Sequence, residues 1–287
     1  MSFRSAAAAA LAAALFASTA FAADPVELKL DRSRDKFNLG LADFAGASGV
    51  AEVVPQTVNS VIGGDLKFSN LFNLVEKGPA VHNRNDAPAW KKIGSDVVVA
   101  GDVRKKGADQ IELDATLFDT GSGKELATIS KRGGSGAVRD LSHQVSNEIV
   151  KYFTGQPGVF DSKIVFANNA TGRKELYIAD YDARNAKRLT NDNSIVVLPR
   201  MSPDGSKIIF TSYISGNPDL YIINRDGTGR HKLSAKAGLN VSPSWAPNNQ
   251  QIAITLSIDG PPNIYLMDLT GAVKQRLTTT QGADTAP

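Results

Sequence analysis

The chain has 287 residues, 32 basic against 29 acidic, and a formal net charge of +3. That length accommodates two domains, and the near-balanced charge, with no basic run interleaved with aromatics, argues against a nucleic-acid platform. It has no cysteine, which excludes a disulfide framework, thiol chemistry and cysteine metal sites.

Met1-Ser2-Phe3-Arg4, the Ala/Leu run over residues 5–16 and the small-x-small site Ala20-Phe21-Ala22 have the order of a secretory signal peptide. Residues 1–22 are read as that signal, with cleavage after Ala22 and Ala23 as the alternative. No later stretch approaches ~18 uninterrupted apolar residues, so no inserted segment is expected in the mature protein.

Val26-Glu27-Leu28-Lys29-Leu30 alternates apolar and polar residues and reads as a strand or strand-like arm. Residues 37–44 read as a second strand. Pro55 opens a helix with Val58, Val61, Ile62 and Leu66 on one face. Gly63-Gly64 inside it costs about 1 kcal/mol each against Ala. Residues 71–75 read as a strand, and residues 87–93, closed by Gly94, as a short helix. The continuous apolar run over residues 97–103 predicts a central strand covered on both faces. Residues 111–117 and 125–129 flank Thr120-Gly121-Ser122-Gly123, a hairpin turn. Gly133-Gly134-Ser135-Gly136 reads as a linker. Over residues 140–153, Leu141, Val145, Ile149 and Phe153 recur every four positions until Gly155 and Pro157 stop the helix. Residues 23–157 therefore read as a small α/β domain carrying an N-terminal arm.

Beyond residue 157 the sequence repeats. Lys163-Ile164-Val165-Phe166 returns as Lys207-Ile208-Ile209-Phe210 and as Gln251-Ile252-Ala253-Ile254, an offset of 44 residues each time. Leu176-Tyr177-Ile178 and Arg188-Leu189-Thr190 recur at the same offset. A period in the low forties with several short strands per unit marks a β-propeller blade. Units are read at 158–198, 199–242 and 243–287, a full unit having four strands. Pro199, Pro243 and Pro287 fall 44 apart, which places the last residue at the start of a fourth unit. Closed propellers have about four to eight blades, so a longer propeller is expected, and three units alone expose apolar blade faces and predict poor solubility.

Catalytic and metal signatures do not assemble. In Thr120-Gly121-Ser122-Gly123-Lys124, Phe118 stands where a phosphate loop needs Gly, and Glu125 where it needs Ser or Thr. Gly133-Gly134-Ser135-Gly136 lacks the closing Gly of a nucleophile elbow, Ala137 standing there. His82, His143 and His231 have no ligand spacing. Asp180, Asn224 and Asp268 recur before a turn and read as its caps rather than as calcium ligands. No catalytic residue, cofactor or metal is expected. Surface geometry remains: residues 195–199, 239–243 and 283–287 lead into the innermost strands and ring the mouth of the central channel.

Trp90 to Gly101, Gly64-Asp65-Leu66 and Met201-Ser202-Pro203-Asp204-Gly205-Ser206-Lys207, joined to the signal segment, resemble the TolB family of periplasmic Tol–Pal proteins. The resemblance covers essentially the whole mature chain. It implies an anticodon-binding-like first domain, then a six-bladed propeller of which about three blades are present, and no catalysis. It implies that the lipoprotein Pal binds the channel mouth, at Leu239, Ser242 and Thr285. It implies that TolA binds the arm Val26, Glu27, Leu28, Lys29 and Leu30, by strand addition. A monomer in the periplasm serving envelope integrity and cell division follows from it, with no nucleic acid and no membrane insertion. Two other readings of a propeller stand beside it: part of an exported prolyl-oligopeptidase-like hydrolase, or a binder of peptide or carbohydrate.

Overall fold

A computed structural model of the chain describes residues 36–287, so the signal segment and the arm at residues 26–30 lie outside the described residues. The first half runs β1 (Phe37–Leu41), β2 (Ala45–Gly46), α1 (Val53–Phe68), β3 (Phe72–Glu76), α2 (Pro88–Lys91), β4 (Val97–Lys105), β5 (Gln110–Asp119), β6 (Glu125–Gly134) and α3 (Val138–Thr154). Its sheet has the order β3-β1-β4-β5-β6, with β2 beside β4. β1 is parallel to both neighbours, whereas β4, β5 and β6 are antiparallel.

The four-residue spacing of α3 brings Leu141, Val145 and Ile149 to one face, which packs with Val58, Ile62 and Leu66 of α1 on one side of the sheet. Gly155 ends α3 at φ 78°, and its N–H donates to the Lys151 carbonyl. Gly63 is buried in α1, where an added Cβ would come within 3.0 Å of Glu76 Oε1 and 3.5 Å of Leu41 Cδ2. β4 is covered on both faces as its apolar run requires: Val99 and Val103 join the helix-side core, Val98 and Ala100 the cluster around Trp90. Two expectations change. β1 ends at Leu41 instead of running through residue 44, and the chain resumes as the two-residue β2. The glycine-rich linker is partly strand, because β6 continues to Gly134 with Gly133 paired to Ile111.

The second half comprises three sheets in series. β7 (Lys163–Asn168), β8 (Glu175–Asp180) and β9 (Lys187–Arg188) form the first, with three strands rather than four. β10 (Val196–Met201), β11 (Lys207–Ser212), β12 (Asp219–Asn224) and β13 (His231–Ser234) form the second. β14 (Asn240–Trp245), β15 (Gln251–Leu256), β16 (Asn263–Asp268) and β17 (Val273–Arg276) form the third. Within each, neighbouring strands are antiparallel.

Strand alternation makes each blade two-faced. Ile208, Phe210, Tyr221 and Ile223 pack toward Leu176 of the first sheet, whereas Ile209, Leu220 and Ile222 pack toward Ile252, Ile254 and Tyr265 of the third. Trp245 adds a polar stitch across that second junction, its Nε1 donating to the Arg200 carbonyl at 3.1 Å. The turns carry the left-handed residues their sequences promised, Gly205 at φ 68° and its counterpart Asn249 at 59°. Asp268 caps its turn, its Oδ1 accepting from the N–H groups of Thr270 and Ala272.

Candidate binding surface

The innermost strands β10 and β14 are both interrupted midway. Their pairing shifts between Val197 and Arg200 and between Val241 and Ser244. Leu198 and Ser242 sit at the breaks with φ 54° each, and Ala286 has φ 59° at the next repeat position. Each precedes a proline, which has no N–H to offer a ladder. The sequence therefore leaves regular pairing for two residues at the same place in β10 and β14, and Ser242 is presented outside it.

Leu239 lies just ahead of β14 and is half-buried, its N–H donating to Ser257 Oγ at 2.8 Å. Asn240, fully buried, organises this approach. Its side chain accepts from Ser234 Oγ (2.7 Å) and the Lys236 N–H (3.0 Å) and donates to the Lys236 carbonyl (2.8 Å). Thr285 is exposed on the last segment, next to Ala286, whose N–H reaches Thr255 Oγ1 at 3.2 Å. Thr255 also pairs with Val241. The segments carrying Ser242 and Thr285 thus meet at Thr255, while Leu239 stands one strand end earlier. The arm residues Val26, Glu27, Leu28, Lys29 and Leu30 fall outside the described residues.

The loop ahead of β10 is fixed by charge. Glu175, buried at the start of β8, accepts from Thr190 Oγ1 (2.5 Å) and from the N–H groups of Asp192 (3.0 Å) and Asn193 (2.9 Å). Asp192 takes a two-pronged contact from Arg230 and a hydrogen bond from Ser212 Oγ at 2.5 Å. Burial favours the neutral acid, but the Arg230 and Ser212 hydrogen bonds outweigh it and hold the Asp192 carboxyl below its ordinary range. Arg230 also lies over the rings of Tyr221 and Phe210, 4.5 and 5.2 Å from their centroids.

Asn240, Glu175 and Asp192 had no place among the sequence candidates. One signal for Asn240 was present: the preceding unit has Val196 at the same position. Among the described residues no group of three His, Asp or Glu side chains is disposed to hold a metal ion, and no helix is long and apolar enough to cross a membrane. His82 lies in a loop, His231 on β13, and His143 is buried on α3.

Comparison with known proteins gives both halves a counterpart. Residues 31–126 match the family described as TolB amino-terminal domain, and residues 150–287 the family described as TolB beta propeller domain. A Protein TolB homolog from Chlorobium chlorochromatii is 34% identical over 175 residues, which are 58% of this chain and 40% of that protein. A Tol-Pal system protein TolB from Rickettsia felis is 29% identical over 66% of this chain and 44% of its own length. The chain thus spans less than half the length of these curated relatives. Among solved structures, TolB from Acinetobacter baumannii superposes with a TM-score of 0.75 at 28% identity, covering 88% of this chain and 62% of that one.

Proposed function

As the chain belongs to the TolB family, we propose that it is a non-catalytic periplasmic component of the Tol–Pal envelope system, serving outer-membrane integrity and cell division. It binds the lipoprotein Pal through the channel-mouth residues Leu239, Ser242 and Thr285, and TolA through the arm Val26 to Leu30. The domain limits proposed are 23–157 for the α/β domain with its arm and 158–287 for the partial propeller. The observation that carries this reading is the pairing of both TolB-type domains, in order, with a rigid mouth whose loops are tied by Asn240 and Glu175. Such a mouth presents a fixed surface, and rigid scaffolds bearing loops are suited to protein recognition. The alternating pattern of the arm suits addition to a partner's sheet edge.

The test is capture from envelope extract with the signal-free chain, probed for Pal and TolA. Deleting residues 26–30 is expected to abolish TolA capture and spare Pal. Replacing Leu239 and Ser242 together by Asp is expected to do the reverse. A folded chain that captures neither partner would overturn the proposal.

A further inference from the structure

Among the described residues, the α/β domain and the blades are joined at two places. The first is covalent. Asn147 on α3 accepts from the Phe160 N–H (3.0 Å) and donates to Asp161 (2.9 Å), and its carbonyl takes the Gly158 N–H (3.3 Å). Phe160 itself is buried in the core of the α/β domain. The connection is thus fastened to the first domain as far as Asp161, and β7 begins two residues later.

The second is the turn after β8. Tyr181 projects from it onto α1 and α3. Its ring stands edge-on to His143 and Phe68, with centroids 5.5 and 5.2 Å away, and tilted against Phe160 at 5.4 Å. Its hydroxyl donates to Asp65 Oδ1. Asp65 also lies 2.9 and 3.1 Å from Nδ1 of His143, and both residues are 2% exposed. Next to Tyr181, Asp182 accepts from Arg139 Nη2 at 2.6 Å, and that nitrogen lies 3.4 Å from His143 Nε2. Burial, then the bond to Asp65, pushes the Tyr181 hydroxyl above its ordinary range, so it stays protonated and donating. Elsewhere among the described residues, no blade strand packs broadly along a helix or strand of the α/β domain.

We propose that Tyr181 and Asp182 form a detachable polar latch, and that residues 161–163 are the hinge about which the domains part when it opens. The latch is built to release without unfolding either side. Once Tyr181 leaves, Asp65 keeps His143, so the buried carboxylate is not orphaned. A cavity of about 240 Å³ beside it, lined by Ser60, Gly64, Arg139 and Arg184, already offers a path for water to the vacated face. Tyr181 is absent from the buried clusters between blades, so its removal leaves them filled. Two hydrogen bonds to charged partners and the packing of one aromatic ring on the α/β core, not a broad apolar seam, set the closed state. Losing one of those bonds shifts such an equilibrium by roughly tenfold or more.

The chain has no cysteine, so spin labels can be placed at Ser130→Cys on β6 and Gln275→Cys on β17, both exposed. The signal-free chain is expected to give one narrow distance distribution. Tyr181→Phe, which keeps the ring, and Asp182→Asn, which acts outside the core, are each expected to broaden it, with circular dichroism unchanged and the single melt separating into two transitions. A narrow distribution in both variants, whether or not the melting temperature falls as one transition, overturns the latch.

Discussion

Trp90 shows how single atoms fix the α/β domain. It is fully buried, its Nε1 donates to the Pro79 carbonyl at 2.9 Å, and its ring lies against two glycines. A Cβ on Gly40 would sit 2.4 Å from the ring and one on Gly78 2.5 Å. Gly40→Ala is therefore expected to destabilise by about 1–3 kcal/mol through overpacking, read as a lowered midpoint in urea. Gly64→Ala is expected to do the opposite, raising stability by about 1 kcal/mol, because the position is exposed and helical and nothing lies within 4 Å of the new methyl. Charge at this scale predicts acid sensitivity. The Asp192 carboxyl is held below its unfolded value despite burial, by Arg230 and Ser212. Its contribution is complete above about pH 5, clear of the unfolded value, and is lost as pH falls through the depressed folded value. Asp192→Asn should lower the melting temperature at pH 7, and the gap to the wild type should narrow steadily between pH 5 and pH 2. A gap that stays constant over that range would contradict the assignment.

Elements were legible in the sequence where periodicity and punctuation agreed. α3 announced itself through Leu141, Val145 and Ile149 before Gly155, and β4 through its unbroken apolar run. β6 was underestimated because Gly133 and Gly134 read as loop, whereas pairing with β5 overrides their weak strand preference. The Gly63-Gly64 pair looked like a flaw in α1, yet at Gly63 a side chain would crowd Glu76 and Leu41. Elements also depend on side chains that interrupt no pattern. Asn240 ties the whole stretch from Ser234 to β14, so Asn240→Ala is expected to cost about 1–3 kcal/mol by leaving buried groups unpaired. Faster hydrogen exchange at the Lys236 amide, with the α/β domain unaffected, would locate the damage.

At the scale of the molecule, the repeat was the most readable feature, because each blade reuses one strand pattern at one spacing. The contact between halves was hidden, since Asp65 and His143 are 78 residues apart and Asp65 and Tyr181 116 apart, and none of them belongs to a repeated motif. Blade stability is shared with neighbours. A chain ending at Gly238 would strip Ile252, Ile254, Leu256, Tyr265 and Met267 from the cluster they form with Ile209, Leu220, Ile222 and Leu233. Its second blade is expected to lose hydrogen-exchange protection while the α/β domain retains it, and equal protection in both would argue against stacking as the source of order. The kinked innermost strands bear on a different risk. β10 and β14 are border strands of their sheets, and a long straight border is a template for amyloid-like growth. Leu198 and Ser242 turn the backbone out of line there, and Pro199 and Pro243 remove an N–H where a foreign strand would seek one. The same few residues that break the pairing of β10 and β14 thus blunt one border of the second and third sheets, where a copy of the chain would otherwise find a straight template to extend.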